Sequence, residues 1–313
     1  MTPGSTAVPP GQVRRPPAKA PIRMWARVAK DSVKACLPFQ RSLRGLLRKI
    51  RPYESVPAND MRAIELGLQL VRLIRDHDVA TEQVLEVGTG WIPTIPKLLK
   101  AYGARRLILT DIERFCDART ESFAQSLTEK AIPQLALASG KEQDALHVGL
   151  LRSNVEEYRC PPRLSELDPY SIDLVYSRSV LEHFPEPFLI ASLAEWKRIL
   201  KPSGHCIHFI DNSDHFEHRD KALSRLNFLT LSDFAWKVAC INPQNYQNRL
   251  RHSDYLRLFR DAGYDLVHVD GVVNAQLLAD LPNLRVAGKF RAYEPEDLAT
   301  LLTIIVAKPQ VFQ

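Results

Sequence analysis

From about residue 57 onward the chain alternates short apolar runs with longer stretches of helical periodicity, and this alternation constrains the fold more than any other feature. The runs Gln83–Val87, Arg106–Thr110, Leu146–Leu150, Ile172–Tyr176, His205–Ile210, Tyr264–Val269 and Leu301–Lys308 have the length of strands. Between them, Glu113–Leu127, Pro187–Leu200 and Ser253–Ala262 are expected helices, and Asn59 is placed to cap an earlier one carrying Ile64, Leu68, Val71 and Ile74. Strands that are apolar throughout and separated by helices belong to a parallel sheet covered on both faces. The expected architecture is therefore α/β: a doubly wound, mostly parallel seven-stranded sheet. Residues 212–250 are too long for a simple connection and are expected to form a helical insertion, a cap over the ligand-binding edge.

Four segments bear on chemistry. Val84-Leu-Glu-Val-Gly-Thr-Gly-Trp91 is a strand that ends in Gly88 and Gly90, where the backbone can turn sharply and approach a ligand without a side chain between. Position 92 is Ile, so the third glycine of a dinucleotide fingerprint is missing and pyrophosphate binding is disfavoured. Asp111 closes the next strand, where a carboxylate can accept both hydroxyls of a ribose or simply cap a helix. Ile172-Asp-Leu-Val-Tyr-Ser-Arg-Ser-Val-Leu-Glu-His-Phe184 and the turn Ile199-Leu-Lys-Pro-Ser-Gly204 follow.

In this order and spacing the four segments resemble the class I S-adenosylmethionine-dependent methyltransferases over about residues 82–210, with a looser fit through residue 269. The resemblance implies a Rossmann-like methyltransferase fold and S-adenosyl-L-methionine as cofactor. It places Glu86, Gly88 and Gly90 under the methionine moiety, Asp111 on the ribose, and Ser177 at the cofactor edge of the fourth strand. The loop after the third strand, around Ser153 and Asn154, would flank the adenine. Gly-Thr-Gly-Trp followed by Pro93 and Pro96 is similar to a branch associated with bacterial polysaccharide or glycan biosynthesis, as are Leu226-Asn-Phe-Leu229, Trp236 and the run Tyr246–Tyr255.

Methyl transfer from a sulfonium is an in-line displacement, and a hydroxyl acceptor must also lose a proton. Acid/base groups are expected just beyond the fourth and fifth strands. His183 follows the fourth; its alternative role is helix packing. Ile207-His-Phe-Ile-Asp-Asn-Ser-Asp-His-Phe216 follows the fifth. Asp211 and His215 are the expected acid/base pair, the carboxylate orienting the ring. Asp211, Asp214 and His215 could instead hold Mg²⁺, or the two aspartates could cap a helix, and no metal is assigned. His208, inside a strand, is expected in the core. Arg249 and Arg251 form a basic group suited to clamping a phosphate or carboxylate of the acceptor, and Tyr246 to stacking on a sugar ring or packing the insertion. Ser177-Arg-Ser-Val lacks the Asn-Pro-Pro-Tyr pattern of amino-group methyltransferases, which favours an oxygen acceptor.

The net charge of +6 divides unevenly. Residues 1–51 hold 12 of the 42 basic residues and one of the 36 acidic ones, leaving 30 basic against 35 acidic in the remainder. The basicity belongs to an arm, so nucleic acid is not the expected partner. Within the expected arm, residues 1–56, the first 21 are proline-rich with nothing to pack. Residues 22–51 carry Leu43, Leu46, Leu47 and Ile50 between basic residues. That segment can lie on an anionic membrane surface or an acidic partner, or be a solvated helix that caps the methyltransferase domain of residues 57–313. Five scattered cysteines with no Cys-x-x-Cys pair fit reduced thiols, and with no secretory signal the expected location is cytoplasmic, with peripheral membrane contact through the arm. The expected activity is methylation of a hydroxyl on a glycan or small molecule. The alternatives are an RNA or protein methyltransferase that docks through the arm, and a non-catalytic cofactor-binding regulator. The sequence leaves the oligomeric state undetermined.

Overall fold

A computed structural model describes residues 24–30 and 57–310. Seven strands form one sheet: β1 (Gln83–Val87), β2 (Arg106–Thr110), β3 (Glu156–Arg159), β4 (Ile172–Arg178), β5 (Leu200–Asp211), β6 (Tyr264–Val273) and β7 (Thr300–Pro309). Their spatial order is β3-β2-β1-β4-β5-β7-β6. β1 to β5 pair in parallel, and β7 runs antiparallel between β5 and β6. The order reverses between β1 and β4, so their carboxyl ends flank the crevice where ligands bind in open α/β sheets.

Alternation of side chains along each strand builds two cores. Val84, Leu107, Leu174, Tyr176 and Ile207 face one side, under the helices Pro57–Asp76, Thr94–Tyr102 and Ala118–Ser139. Leu85, Ile108, Val175 and Cys206 face the other, with Trp196 of helix Glu186–Ile199 and Phe259 of helix His252–Asp261 closing over them. A third apolar cluster gathers Phe216, Leu226, Phe228 and Trp236 with Phe290, Leu298 and Leu301, and Met24 and Val28 of the helix over residues 24–30 join it. Residues 212–250 hold two short helices, His215–Arg219 and Asp233–Ala239, joined by turns. Leu43–Ile50, the apolar positions of the basic arm, lie outside the described residues.

The third strand differs from its sequence expectation. Leu146–Leu150 lies in a helix, Gln143–Leu151, which packs so closely on Thr94–Tyr102 that a Cβ on Gly149 would stand 2.3 Å from the Ala101 carbonyl oxygen. The actual β3 is polar, because it is the sheet edge: Glu156 pairs with Lys97 at 2.6 Å and Glu157 with Arg106 at 2.7 Å. The helix expected from Glu113 begins instead at Ala118, where Asp117 accepts from the amides of Arg119 and Thr120 and Thr120 answers with its hydroxyl. The first helix of the body starts at Pro57, ahead of Asn59.

Candidate active site

At the carboxyl end of β1 the chain folds back over β2. The amides of Gly88 and Thr89 both donate to the Thr110 carbonyl, at 2.8 and 3.0 Å. Gly88 and Gly90 take left-handed conformations, φ 79° and 70°. A Cβ on Gly88 would collide with Val180, 2.3 Å away, whereas a Cβ on Gly90 would meet nothing within 4 Å. Asp111 accepts from the Gly90 amide at 2.9 Å through one oxygen and from Ile112 at 2.7 Å through the other. Each oxygen keeps a second lone pair. Burial raises the Asp111 pKa.

Glu86 lies beneath this loop, buried beside the hydroxyls of Thr89 and Tyr176, and burial pushes its carboxyl up to about 7. Its Oε2, the Thr89 Oγ1 and the Tyr176 hydroxyl are all buried with no hydrogen-bond partner among the described residues. Such groups cost free energy unless something satisfies them. A carboxyl with two hydroxyls close by and no well-formed hydrogen bond among them, under a glycine loop that is open at Gly90, fits a ligand with an ammonium end.

Two cofactor expectations are not placed in this crevice. Ser177 points to the opposite face from Tyr176, where its hydroxyl meets His208 Nδ1 at 2.8 Å inside the core. That imidazole stacks on Trp196, and burial lowers it to about 3, so it stays neutral. Asn154 precedes β3 and therefore sits at its amino end, away from the crevice; Cys160, after β3, is the residue at the carboxyl edge. Both displacements have a physical reason: the side-chain alternation of β4 for Ser177, and the shift of the third strand for Asn154.

Beyond β4 and β5, the structure brings His183, Asp211 and His215 together. A turn of 3-10 helix, Leu181–His183, follows β4, and a helix beginning at His215 follows β5. One strap, residues 246–248, fastens both. Asn248 donates to the carbonyls of Leu181 and Phe184, and Gln247 takes the His215 amide at 3.0 Å while donating to the Ser213 carbonyl. The carbonyl of Tyr246 accepts from His183 Nδ1 at 2.8 Å; since a carbonyl only accepts, the lone pair of that ring lies on Nε2. The rings of His183 and His215 stand 4.9 Å apart, and those of His215 and His218 4.8 Å. Asp211 Oδ2 is 3.7 Å from His215 Nε2, an ion-pair distance longer than a hydrogen bond. Burial pushes Asp211 up, but His215 and the Ser213 donors outweigh it and hold the carboxyl well below its usual range. Asp214 stands apart from this group as the cap of helix His215–Arg219, accepting from Phe216 at 2.7 Å.

Arg249 and Arg251 are not placed as an acceptor clamp. Arg251 is fully buried and donates to the carbonyls of Asn212, Leu298 and Thr300, each at 2.9 Å. Arg249 donates to Phe228 and Leu231 carbonyls and pairs with Asp233, with Trp236 and Phe290 beside it. Arg249 is consumed within the insertion, and Arg251 ties the insertion to the start of β7. The sequence reading missed Glu182, buried next to His183, together with Arg178, Tyr176 and His218; the first three stand within a segment it had already singled out.

The chain matches the methyltransferase-domain family over residues 40–269. It belongs to that family. The chain is an S-adenosylmethionine-dependent methyltransferase, and family membership implies S-adenosylmethionine as the methyl donor. Glu86, Gly88, Gly90, Thr89, Asp111 and Tyr176 are the groups that would hold it, and when bound it supplies an electrophilic methyl. Among solved structures the methyltransferase fold is similar to an S-adenosylmethionine-dependent methyltransferase from Mesorhizobium loti, at 11% identity over 77% of this chain and 96% of that one, with a TM-score of 0.44. A protein from Pyrococcus horikoshii gives 16% identity over 80% and 91%, TM-score 0.43. The [4+2]-cyclase SpnF gives 16% over 78% and 82%, TM-score 0.43. At these scores the likenesses add nothing to the family match. No curated protein matches the methyltransferase chain. Among the described residues no helix is long and apolar enough to cross a membrane.

Proposed function

We propose that this methyltransferase acts on a hydroxyl of a glycan or small-molecule acceptor, as in the biosynthesis of bacterial polysaccharides. The observation that carries this reading is the imidazole–carboxylate group His183, Asp211 and His215 beside the glycine loop. Val180, which a Cβ on Gly88 would strike, opens the β4 loop that carries His183, so the loop bearing the acceptor-side histidine packs on the cofactor loop. His183 is exposed, so its Nε2 lone pair can reach the acceptor, and partial desolvation by the surrounding loops lowers its pKa and favours the neutral ring. Asp211 and His215, the expected acid/base pair, stand beside that ring. Cofactor residues carry the donor as described above, and contact of the basic arm with an anionic surface would bring the enzyme to a membrane-linked glycan.

The test is release of S-adenosylhomocysteine with a panel of glycan and small hydroxyl acceptors, followed by location of the methyl by mass spectrometry. His183→Ala is expected to lower kcat by 10²–10⁴-fold, the usual range for a general base, with S-adenosylhomocysteine affinity retained. A product methylated on nitrogen, or unchanged kcat in His183→Ala, would overturn the reading.

A further inference from the structure

We propose that the cluster at the carboxyl ends of β4 and β5 binds a divalent first-row transition-metal ion of the zinc type, held by Asp211, His215 and His218, with the buried Glu182 carboxylate on the other side of His215. Asp211 Oδ2 lies 3.7 Å from His215 Nε2 and 4.0 Å from His218 Nε2. Ligands at about 2.0–2.2 Å from a tetrahedral ion are separated by roughly 3.4 Å, so these edges must shorten, the stacked rings of His215 and His218 must turn to converge, and the 3.3 Å contact of His218 Nε2 with the Ser213 hydroxyl is given up to the ion. The other oxygen of Asp211 is fixed by the Ser213 amide at 2.9 Å and hydroxyl at 2.6 Å, the kind of outer support that orients a metal ligand.

Two further observations point inward. His215 Nε2 is buried without a hydrogen-bond partner. Glu182 is 2% exposed, and both of its carboxylate oxygens are likewise unpartnered. Ligand atoms of Glu182, His183 and His215 lie within 4.8 Å of one another, as do those of Asp211, His215 and His218, so His215 joins the two groups. A buried carboxyl beside a second carboxylate is costly unless it is protonated or meets a cation. A cavity of about 180 Å³, lined by His215, Phe216, His218, Arg219 and Asn245, opens a route from solvent.

The donor set selects the ion. Mg²⁺ prefers oxygen ligands and retained waters, whereas imidazoles with carboxylates suit zinc, cobalt, nickel or iron. Asp214, one of the three residues the sequence suggested for Mg²⁺, is committed to its helix cap. An ion here would bind and acidify the acceptor oxygen; that consequence rests on the hydroxyl reading above, while the binding itself does not.

The test uses untagged full-length protein stripped by chelator, titrated with Co²⁺ by visible absorption and with Zn²⁺ by calorimetry. One equivalent at micromolar affinity or tighter is expected, with a tetrahedral cobalt spectrum. His215→Ala and the half-exposed His218→Ala should weaken Zn²⁺ at least tenfold, while His147→Ala, on the exposed face of helix Gln143–Leu151, should not. S-Adenosylhomocysteine binding retained in each variant shows that the fold persists. No cobalt spectrum in the wild type, or unchanged Zn²⁺ affinity in both His215→Ala and His218→Ala, would overturn the metal site. A protein that binds Zn²⁺ but methylates no hydroxyl would overturn the acceptor reading alone.

Discussion

Gly88 and Gly90 share a left-handed backbone but not a surrounding, and the pair separates folding from cofactor binding. Placing alanine in that conformation costs roughly 1–2 kcal/mol at either position. At Gly90 the added methyl meets nothing, so the expected loss of stability stops there. At Gly88 it would lie 2.3 Å from Val180 Cγ2 and 3.1 Å from Cγ1, against the roughly 3.5–4.0 Å of an ordinary carbon contact. Val180 has little room to retreat, because Ser179 before it is itself left-handed and the turn Leu181–His183 follows. Overpacking of this kind adds about 1–3 kcal/mol. Urea denaturation should therefore show Gly88→Ala losing about 2–5 kcal/mol and Gly90→Ala about 1–2 kcal/mol. Calorimetry with S-adenosylhomocysteine should reverse the order of interest: Gly90→Ala, stable enough to measure, binds at least tenfold more weakly, since its methyl projects where the ligand must approach. Val180→Ala added to Gly88→Ala should recover part of the stability, a non-additive pair. Wild-type affinity in Gly90→Ala would refute the assignment of this loop to the cofactor, and no recovery in the double variant would refute the clash.

Three shorter predictions follow from other parts of the molecule. Asp111→Ala removes the acceptor for two backbone amides as well as the ribose carboxylate, so S-adenosylhomocysteine affinity should fall at least tenfold, about 1.4 kcal/mol, by calorimetry. Arg251→Met strands three buried carbonyls at about 1–3 kcal/mol each; a loss of at least about 3 kcal/mol is expected in denaturation, and a raised acceptor KM with intact stability would restore the clamp. His208, lowered to about 3 by burial, is neutral when folded but protonates near the ordinary imidazole value of 6.5 when unfolded. The unfolded chain then binds more protons, so this residue's contribution is complete above about pH 6.5 and declines as pH falls toward 3, with a slope approaching ~1.4 kcal/mol per pH unit. Urea unfolding at pH 7.5, 6.5 and 5.5 should show that slope in wild type and its reduction in His208→Asn.

What the sequence made legible depended on how strongly local pattern and tertiary setting agree. β1, β2, β4, β5 and β7 are buried on both faces, so each reads as an apolar run with little ambiguity. The third strand failed for the same reason in reverse: an edge strand can be polar, and Glu156–Arg159 spends its side chains on Lys97 and Arg106 rather than on a core. The neighbouring apolar run, Leu146–Leu150, is as short as a strand but belongs to a helix, a distinction that periodicity over five residues cannot make. That single displacement carried Asn154 to the amino end of the sheet. Charge misled in a different way. Arg249 and Arg251 read in sequence as an acceptor clamp, yet a guanidinium with five donors can satisfy several buried carbonyls at once, and both are used that way. The acceptor cluster shows the converse. Sequence proximity alone places Asp211 and His215 in one loop after β5, but nothing local says that Glu182, some thirty residues earlier, brings its carboxylate near the same imidazole. That convergence is set by the parallel register of β4 and β5, which aligns Ser177 with His208 and so delivers both loops to one edge. A chemistry that needs residues from two loops is therefore written in the strand register, and becomes visible only when the sheet is assembled.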